Sequence, residues 1–303
     1  MSLYRSQRRA LILGTLGGLA NGAFADDQKR LTIDSHVHVW KHDAQFPWAP
    51  DAANLPTADA TAEKLLSLME ANSVSATVII QVIYYKWDNR YLASILKSYP
   101  GRFHGVARVN PEDPASPDTL SKLTEEGRFH GVRISPAPTA AGDWIRGALM
   151  PPLWHRCEQL KVPMTVLAPV SRMPDIERLI ERFPDLTVVI DHMADSPLQQ
   201  PAELEKLLVL RRYPRVFVKI SHSWSLSSQA YPYRDSQQQI KRLYASFGPK
   251  RLLAGTDWPL VEKYCTYGQA IDLARRQISF LNDNDRSWIC GRTAQQIWPF
   301  PNV

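Results

Sequence analysis

Cysteine is scarce in this chain: Cys157, Cys265 and Cys290 are the only three among 303 residues, and no two stand close enough for a C-x-x-C pair. That spacing excludes a zinc ribbon or a dithiol redox motif, leaves room for one disulfide at most, and favours buried free thiols. Long apolar runs are missing as well, so nothing here matches the roughly 20 residues of a membrane-spanning helix. No block of basic residues and no aromatic–basic alternation occurs. The net charge of +6 includes Arg5, Arg8 and Arg9, in a first 25 residues without an acid, and setting those three aside leaves +3. A nucleic-acid partner is therefore not expected. No Gly/Ser linker or charge run divides the chain after residue 30, which points to one domain.

What is present begins with a segment of its own. "SQRRALILGTLGGLANGAFA" runs from twin arginines through a short apolar stretch to Ala23-Phe24-Ala25. This order is that of an export signal of twin-arginine type. Residues 1–25 are read as that signal and 26–303 as the mature domain, periplasmic if the signal is real and cytoplasmic if it is not.

Beyond it, Val/Ile-rich runs alternate with segments of helical period. The runs are 31–39, 76–83, 103–109, 129–135, 162–168, 186–191, 215–221 and 251–256. "SRMPDIERLIERFPD" places Ile176, Leu179, Ile180 and Phe183 on one stripe, with Ser171 as the expected cap and Pro184 as the stop. Strands apolar on both faces and separated by helices imply a parallel sheet, and eight such units imply an α/β fold, a single (β/α)8 TIM barrel. Long connections at Trp40–Pro56, Pro136–Met150 and Trp224–Asp235 follow the first, fourth and seventh strands, at the mouth where barrel active sites lie.

Chemistry-bearing residues collect at the same ends. In "LTIDSHVHVW", His36 and His38 are two apart and share one face of a strand. "VVIDHMAD" ends its apolar run at His192. Alternation then turns Asp191 the other way, as a residue that fixes the loop. "LLAGTDWPL" sets Asp257 at the mouth. Each alone has a structural explanation; together they are expected to form one centre. Arg133 fits either a clamp on a substrate carboxylate or a structural ion pair. Lys219 is read as structural, and His104 and His130, in the two "RFHGV" echoes at strand starts, as bottom-face residues. Trp258 and Tyr84 are expected to wall a ring-shaped substrate.

The ordered set "IDSHVHVW", "GVARVNP", "GVRIS", "FPDLTVVIDHMADSP", "VFVKIS", "LLAGTDWP" and "GRTAQQIWPF" resembles the amidohydrolase-related barrels, in the branch that holds 2-pyrone-4,6-dicarboxylate lactonase, L-fuconolactonase and sulfomuconolactonase. The resemblance spans nearly everything after residue 30. It implies a hydrolase that opens a lactone of an acidic sugar or an aromatic-degradation intermediate, a carboxylated small molecule. The family's strand-1 His-x-His falls on His36 and His38, its strand-6 His on His192 and its strand-8 Asp on Asp257. Two departures stand out. The fifth strand reads "MTVLAPV", with Leu167 and Ala168 where metal-dependent members carry a histidine, and "KISHS" has His222 where the branch commonly has glycine. The fourth strand also ends "GVRIS", with Arg133 and no Lys or Glu that could bridge two metals, so a binuclear centre is not expected. Either one Zn2+ is held by His36, His38 and Asp257, or no metal is needed and His36, His38 and His192 grip the carbonyl while Asp257 activates water. In the second role the low reference pKa of Asp257 would need raising. The competing readings are a metal-dependent decarboxylase of the same superfamily, which needs the absent histidine, and a non-catalytic periplasmic ligand-binding barrel.

Overall fold

Eight strands are found, each inside one of the expected apolar runs. They were located in a computed structural model that describes residues 31–126, 128–135, 145–301 and 303. They are β1 (Ile33–Val37), β2 (Ala76–Ile80), β3 (Phe103–Arg108), β4 (Val132–Ile134), β5 (Met164–Val166), β6 (Val188–Ile190), β7 (Val216–Lys219) and β8 (Leu252–Leu253). Their order in the sheet is their order in the chain, and each neighbouring pair is parallel. The ring closes just beyond β8. Ser35 N donates to Ala254 O at 3.1 Å, Asp257 N to His36 O at 2.8 Å, and His38 N to Trp258 O at 2.7 Å. Parallel neighbours require crossovers, and helices such as Ala62–Ala71, Met150–Leu160 and Gln237–Phe247 supply them.

Alternation along the strands divides the apolar residues into two sets. Ile33, Val78, Val106, Val189, Phe217 and Leu253 cluster together inside the barrel. Residues of the other parity, such as Val188, Ile190, Val216 and Val218, pack outward with the helices. Helix Met173–Arg182 buries Ile176, Leu179 and Ile180 as its period requires. Ser171 does not cap it: the residue sits in a 3-10 turn, Val170–Arg172, and Pro174 in the first turn starts the helix instead. At the bottom of the barrel Trp298 and Phe300 join the interior cluster. There the rings of His104 and His130 meet at 3.6 Å, tilted by 59°, and His104 Nε2 donates to Pro299 O at 3.0 Å. All three cysteines are free thiols. The twin-arginine segment and residues 136–144 of the long connection after β4 lie outside the described residues.

Candidate active site

Strand parity alone would scatter the site, and local backbone departures gather it. A register irregularity between Asp34 and Val37 interrupts the alternation of β1, and His36 and His38 both turn inward. On β6, Val189 faces in, so Asp191 faces in by the same parity. His192 would face out, but it adopts φ 52° and returns to the interior. His222 (φ 66°) and Asp257 (φ 61°) sit in the same left-handed region just past β7 and β8. Non-glycine residues there are strained, and such strain collects at functional sites. Gly255 is required for a related reason: a Cβ on it would lie 2.9 Å from the Cβ of His36.

Asp257 is the hub. Its Oδ2 accepts from His222 Nε2 at 2.8 Å. Its Oδ1 lies 3.3 Å from His38 Nε2 and 3.5 Å from His36 Nε2, and makes no hydrogen bond among the described residues. His38 Nδ1 donates to Ile80 O at 2.8 Å, which leaves Nε2 bare in the neutral ring. The rings of His192 and His222 stack 3.6 Å apart at 7°. His192 Nδ1 pairs with Ser221 Oγ at 2.8 Å, and His222 Nδ1 donates to Asp195 at 3.1 Å.

A buried charge cluster backs this hub, and it corrects one expectation. Lys219, read as structural, ties strand ends together inside the barrel, reaching His36 Nδ1 at 3.1 Å and Asp191 Oδ1 at 3.0 Å. Asp191, expected to point away, also lies 3.3 Å from His36 Nδ1 and accepts from Arg133 Nε at 2.9 Å. Arg133 therefore spends one edge of its guanidinium on an ion pair. Trp258 is fully buried, with Lys64 from the outer helix layer 5.8 Å from its ring centroid, so its ring packs behind the strands and does not wall the mouth. Tyr84 does stand at the mouth, edge-on to Trp40 and Trp48; burial and then the charge of Asp257 raise its pKa.

Burial is the largest influence on His36, His192, His222, Asp191, Lys219 and Asp257. It lowers His192 well below its usual value, and, with Lys219 adding to it, takes His36 down to about 3, so both rings are neutral. Burial would raise Asp257, but the hydrogen bond from His222, the nearby His38 ring and the charge of His222 outweigh it and hold the carboxyl well below the usual range. The rise anticipated for a general base is not found. Burial lowers His222, yet its bonds to Asp195 and Asp257 carry it up to about 9. The stability this ring contributes is thus fully present below its ordinary 6.5 and lost as pH rises through about 9. A His222→Gly variant is expected to lose up to about 3 kcal/mol more at pH 6 than at pH 10, relative to wild type. Urea unfolding at both pH values checks this, and an equal loss at both would refute it. Glycine relaxes the φ 66° backbone equally at either pH, so that effect cancels.

The donor set suits a divalent cation. Ligand atoms of His36, His192 and Asp257 lie within 4.8 Å of one another, and His36 Nε2 and Asp257 Oδ1 are buried without hydrogen-bond partners. The grouping takes His192 where His38 was expected. Three protein ligands with an open position is a catalytic zinc pattern. Binding there requires His36 to carry its proton on Nδ1, toward Asp191. In the alternative tautomer Lys219 donates to Nδ1, and Nε2–H faces the centre.

A (β/α)8 barrel with a histidine–aspartate centre at its mouth is thus the class that fold and site define. The amidohydrolase family model matches residues 33–300, and the chain belongs to that family. It is 25% identical over 235 residues to an L-fucono-1,5-lactonase of Burkholderia ambifaria, covering 75% of this chain and 80% of that protein. It is 27% identical over 239 residues to a 2-pyrone-4,6-dicarboxylate hydrolase of Comamonas testosteroni, covering 75% and 76%. Among solved structures, an amidohydrolase from Burkholderia multivorans with bound zinc superposes with a TM-score of 0.75 at 23% identity, over 89% of this chain and all of that one.

Proposed function

We propose that this protein is a lactone hydrolase acting on a carboxylated cyclic ester. The observation that carries the reading is Asp257 Oδ1, a buried carboxylate oxygen with no hydrogen bond, facing His36 and His38 at 3.5 and 3.3 Å. A water there donates one hydrogen to Oδ1 and the other to the bare Nε2 of His38, and turns its lone pair toward the lactone carbonyl. Asp257 takes the proton as the water oxygen bonds to the acyl carbon. The Nε2–H of His36, set by Lys219 behind it, donates to the developing oxyanion. When the ring C–O bond breaks, Asp257 returns the proton to the leaving alkoxide, giving the hydroxy acid. A zinc ion held by His36, His192 and Asp257 would supply Lewis-acid polarisation of the same carbonyl.

Lys219, 3.1 Å from His36 Nδ1, can donate to that nitrogen and so set the tautomer that donates from Nε2, the one this mechanism uses. Lactone opening is accordingly expected to survive chelation with less than a tenfold loss of kcat. Assay of a lactone panel before and after chelator treatment, with metal analysis, checks this. Abolition of activity, with recovery on zinc addition, would put the metal in its place. Carbon dioxide release instead of ring opening would indicate the decarboxylase. Against that reading stands Leu167, which follows β5 where a fourth ligand is needed. Similarity to two lactone-ring hydrolases also favours ring opening over a purely binding barrel.

The export reading rests on Arg8-Arg9 and the Ala23-Phe24-Ala25 ending. An Arg8→Lys, Arg9→Lys variant is expected to stay in the cytoplasm on fractionation while the parent chain reaches the periplasm.

A further inference from the structure

Arg108 ends β3 with its side chain inward, on the parity of Val106, and it pairs in register with Arg133 of β4. It is 4% exposed, and its Nε and Nη1 have no hydrogen-bond partner among the described residues. A guanidinium removed from water normally finds a carboxylate or saturates its donors, because an unpaired buried charge costs several kcal/mol. Neither happens here. Burial and the neighbouring Arg133 both push the pKa of Arg108 down, to about 9, and no acid offsets them. Arg133 has Asp191; among the described residues Arg108 has no carboxylate partner.

The surroundings are nevertheless built. Asn89 accepts from Arg108 N at 3.0 Å and donates to Arg108 O at 2.9 Å, while also donating to Trp87 O at 2.9 Å. That one amide ties the end of β3 to the loop carrying Trp87, whose half-buried ring lies 5.2 Å from the guanidinium carbon. A cation–π contact steadies the guanidinium plane without using its N–H donors. A planar fork with free donors, set beside an indole at the barrel mouth, matches a carboxylate in bidentate geometry.

We propose that Arg108 anchors a carboxylate of the substrate, remote from the reacting carbonyl. The assignment rests on the lactonase reading for the reaction but not for the binding. It makes Arg108 the residue that selects dianionic or anionic ring substrates over neutral lactones.

The test pairs a lactone bearing a ring carboxylate with its methyl ester. Arg108→Met is expected to lower kcat/KM about 100-fold on the acid and less than threefold on the ester, erasing the wild-type preference. Arg108→Lys, which keeps charge without the fork, should fall between. Thermal unfolding of Arg108→Met should be unchanged or shifted upward, because an uncompensated charge has left the interior; a structural ion-pair role would shift it down. Equal losses on acid and ester, or an intact preference, would overturn the assignment. If wild type opens no lactone at all, the reaction reading fails while this one stays testable. Benzene-1,3-dicarboxylate binding by calorimetry should then weaken at least 30-fold in Arg108→Met, and unchanged binding would overturn the proposal.

Discussion

Replacing Asp257 by asparagine is expected to lower kcat for lactone opening about a thousandfold while the barrel stays folded. Asparagine is nearly the same size, and it tolerates the φ of 61° at this position better than other residues do. Its carbonyl can still accept from His222. What disappears is the carboxylate that, in the proposed mechanism, takes a proton from water and hands it to the alkoxide. General-base contributions run from about 100- to 10,000-fold, and a thousandfold loss corresponds to about 4 kcal/mol of transition-state stabilisation. Steady-state ring opening in a pH-stat measures it, with KM expected to change little. Activity within tenfold of wild type would remove Asp257 from the proton path and with it the proposed mechanism.

The second large effect falls on stability. Asp191→Asn removes the carboxylate that Lys219 approaches at 3.0 Å and Arg133 at 2.9 Å, both cations almost wholly buried. Breaking a buried pair from one side costs about 3–5 kcal/mol, because the stranded charge has no water to turn to. Two charges are stranded here, so the upper end is expected, read as a fall in the urea midpoint at constant slope. Burial would raise Asp191, but Lys219, His36 and Arg133 hold it well below 3.8. Its contribution is therefore fully present above the unfolded value of about 3.9 and lost only as pH falls through the lower folded value. The gap between wild type and variant should be flat from about pH 5 upward and close in acid. A cost below about 1 kcal/mol at neutral pH would show that the cluster is not carrying these charges as an ion network.

Much of this was legible in the sequence. The eight Val/Ile runs contain the eight strands, because a sheet covered on both faces has to be apolar on both. The strands are shorter than the runs, down to Leu252–Leu253 for β8, since each run continues into the loop that carries its functional residue. His36, His38, His192 and Asp257 were legible as a set at strand ends. Asp191 was misplaced because parity was counted from His192, assuming that the strand continues. Counted from Val189, it faces inward. Nothing in the sequence announces the left-handed turn at His192, which follows from tertiary packing. Arg108 was passed over inside "GVARV", though an arginine on the inward parity of an apolar strand was a readable signal. His222 was visible only as a departure from the glycine of similar proteins.

The closure between β1 and the segment after β8 has a consequence for how the chain acquires its chemistry. His36 and Asp257 are joined through the backbone bond that seals the ring, Asp257 N to His36 O, across 221 residues of chain. Seven strands laid side by side, with every helix formed, still hold the two halves of the centre apart. Catalytic competence and the final stitch of the barrel are one event, so the enzyme has no partly folded form that is partly active.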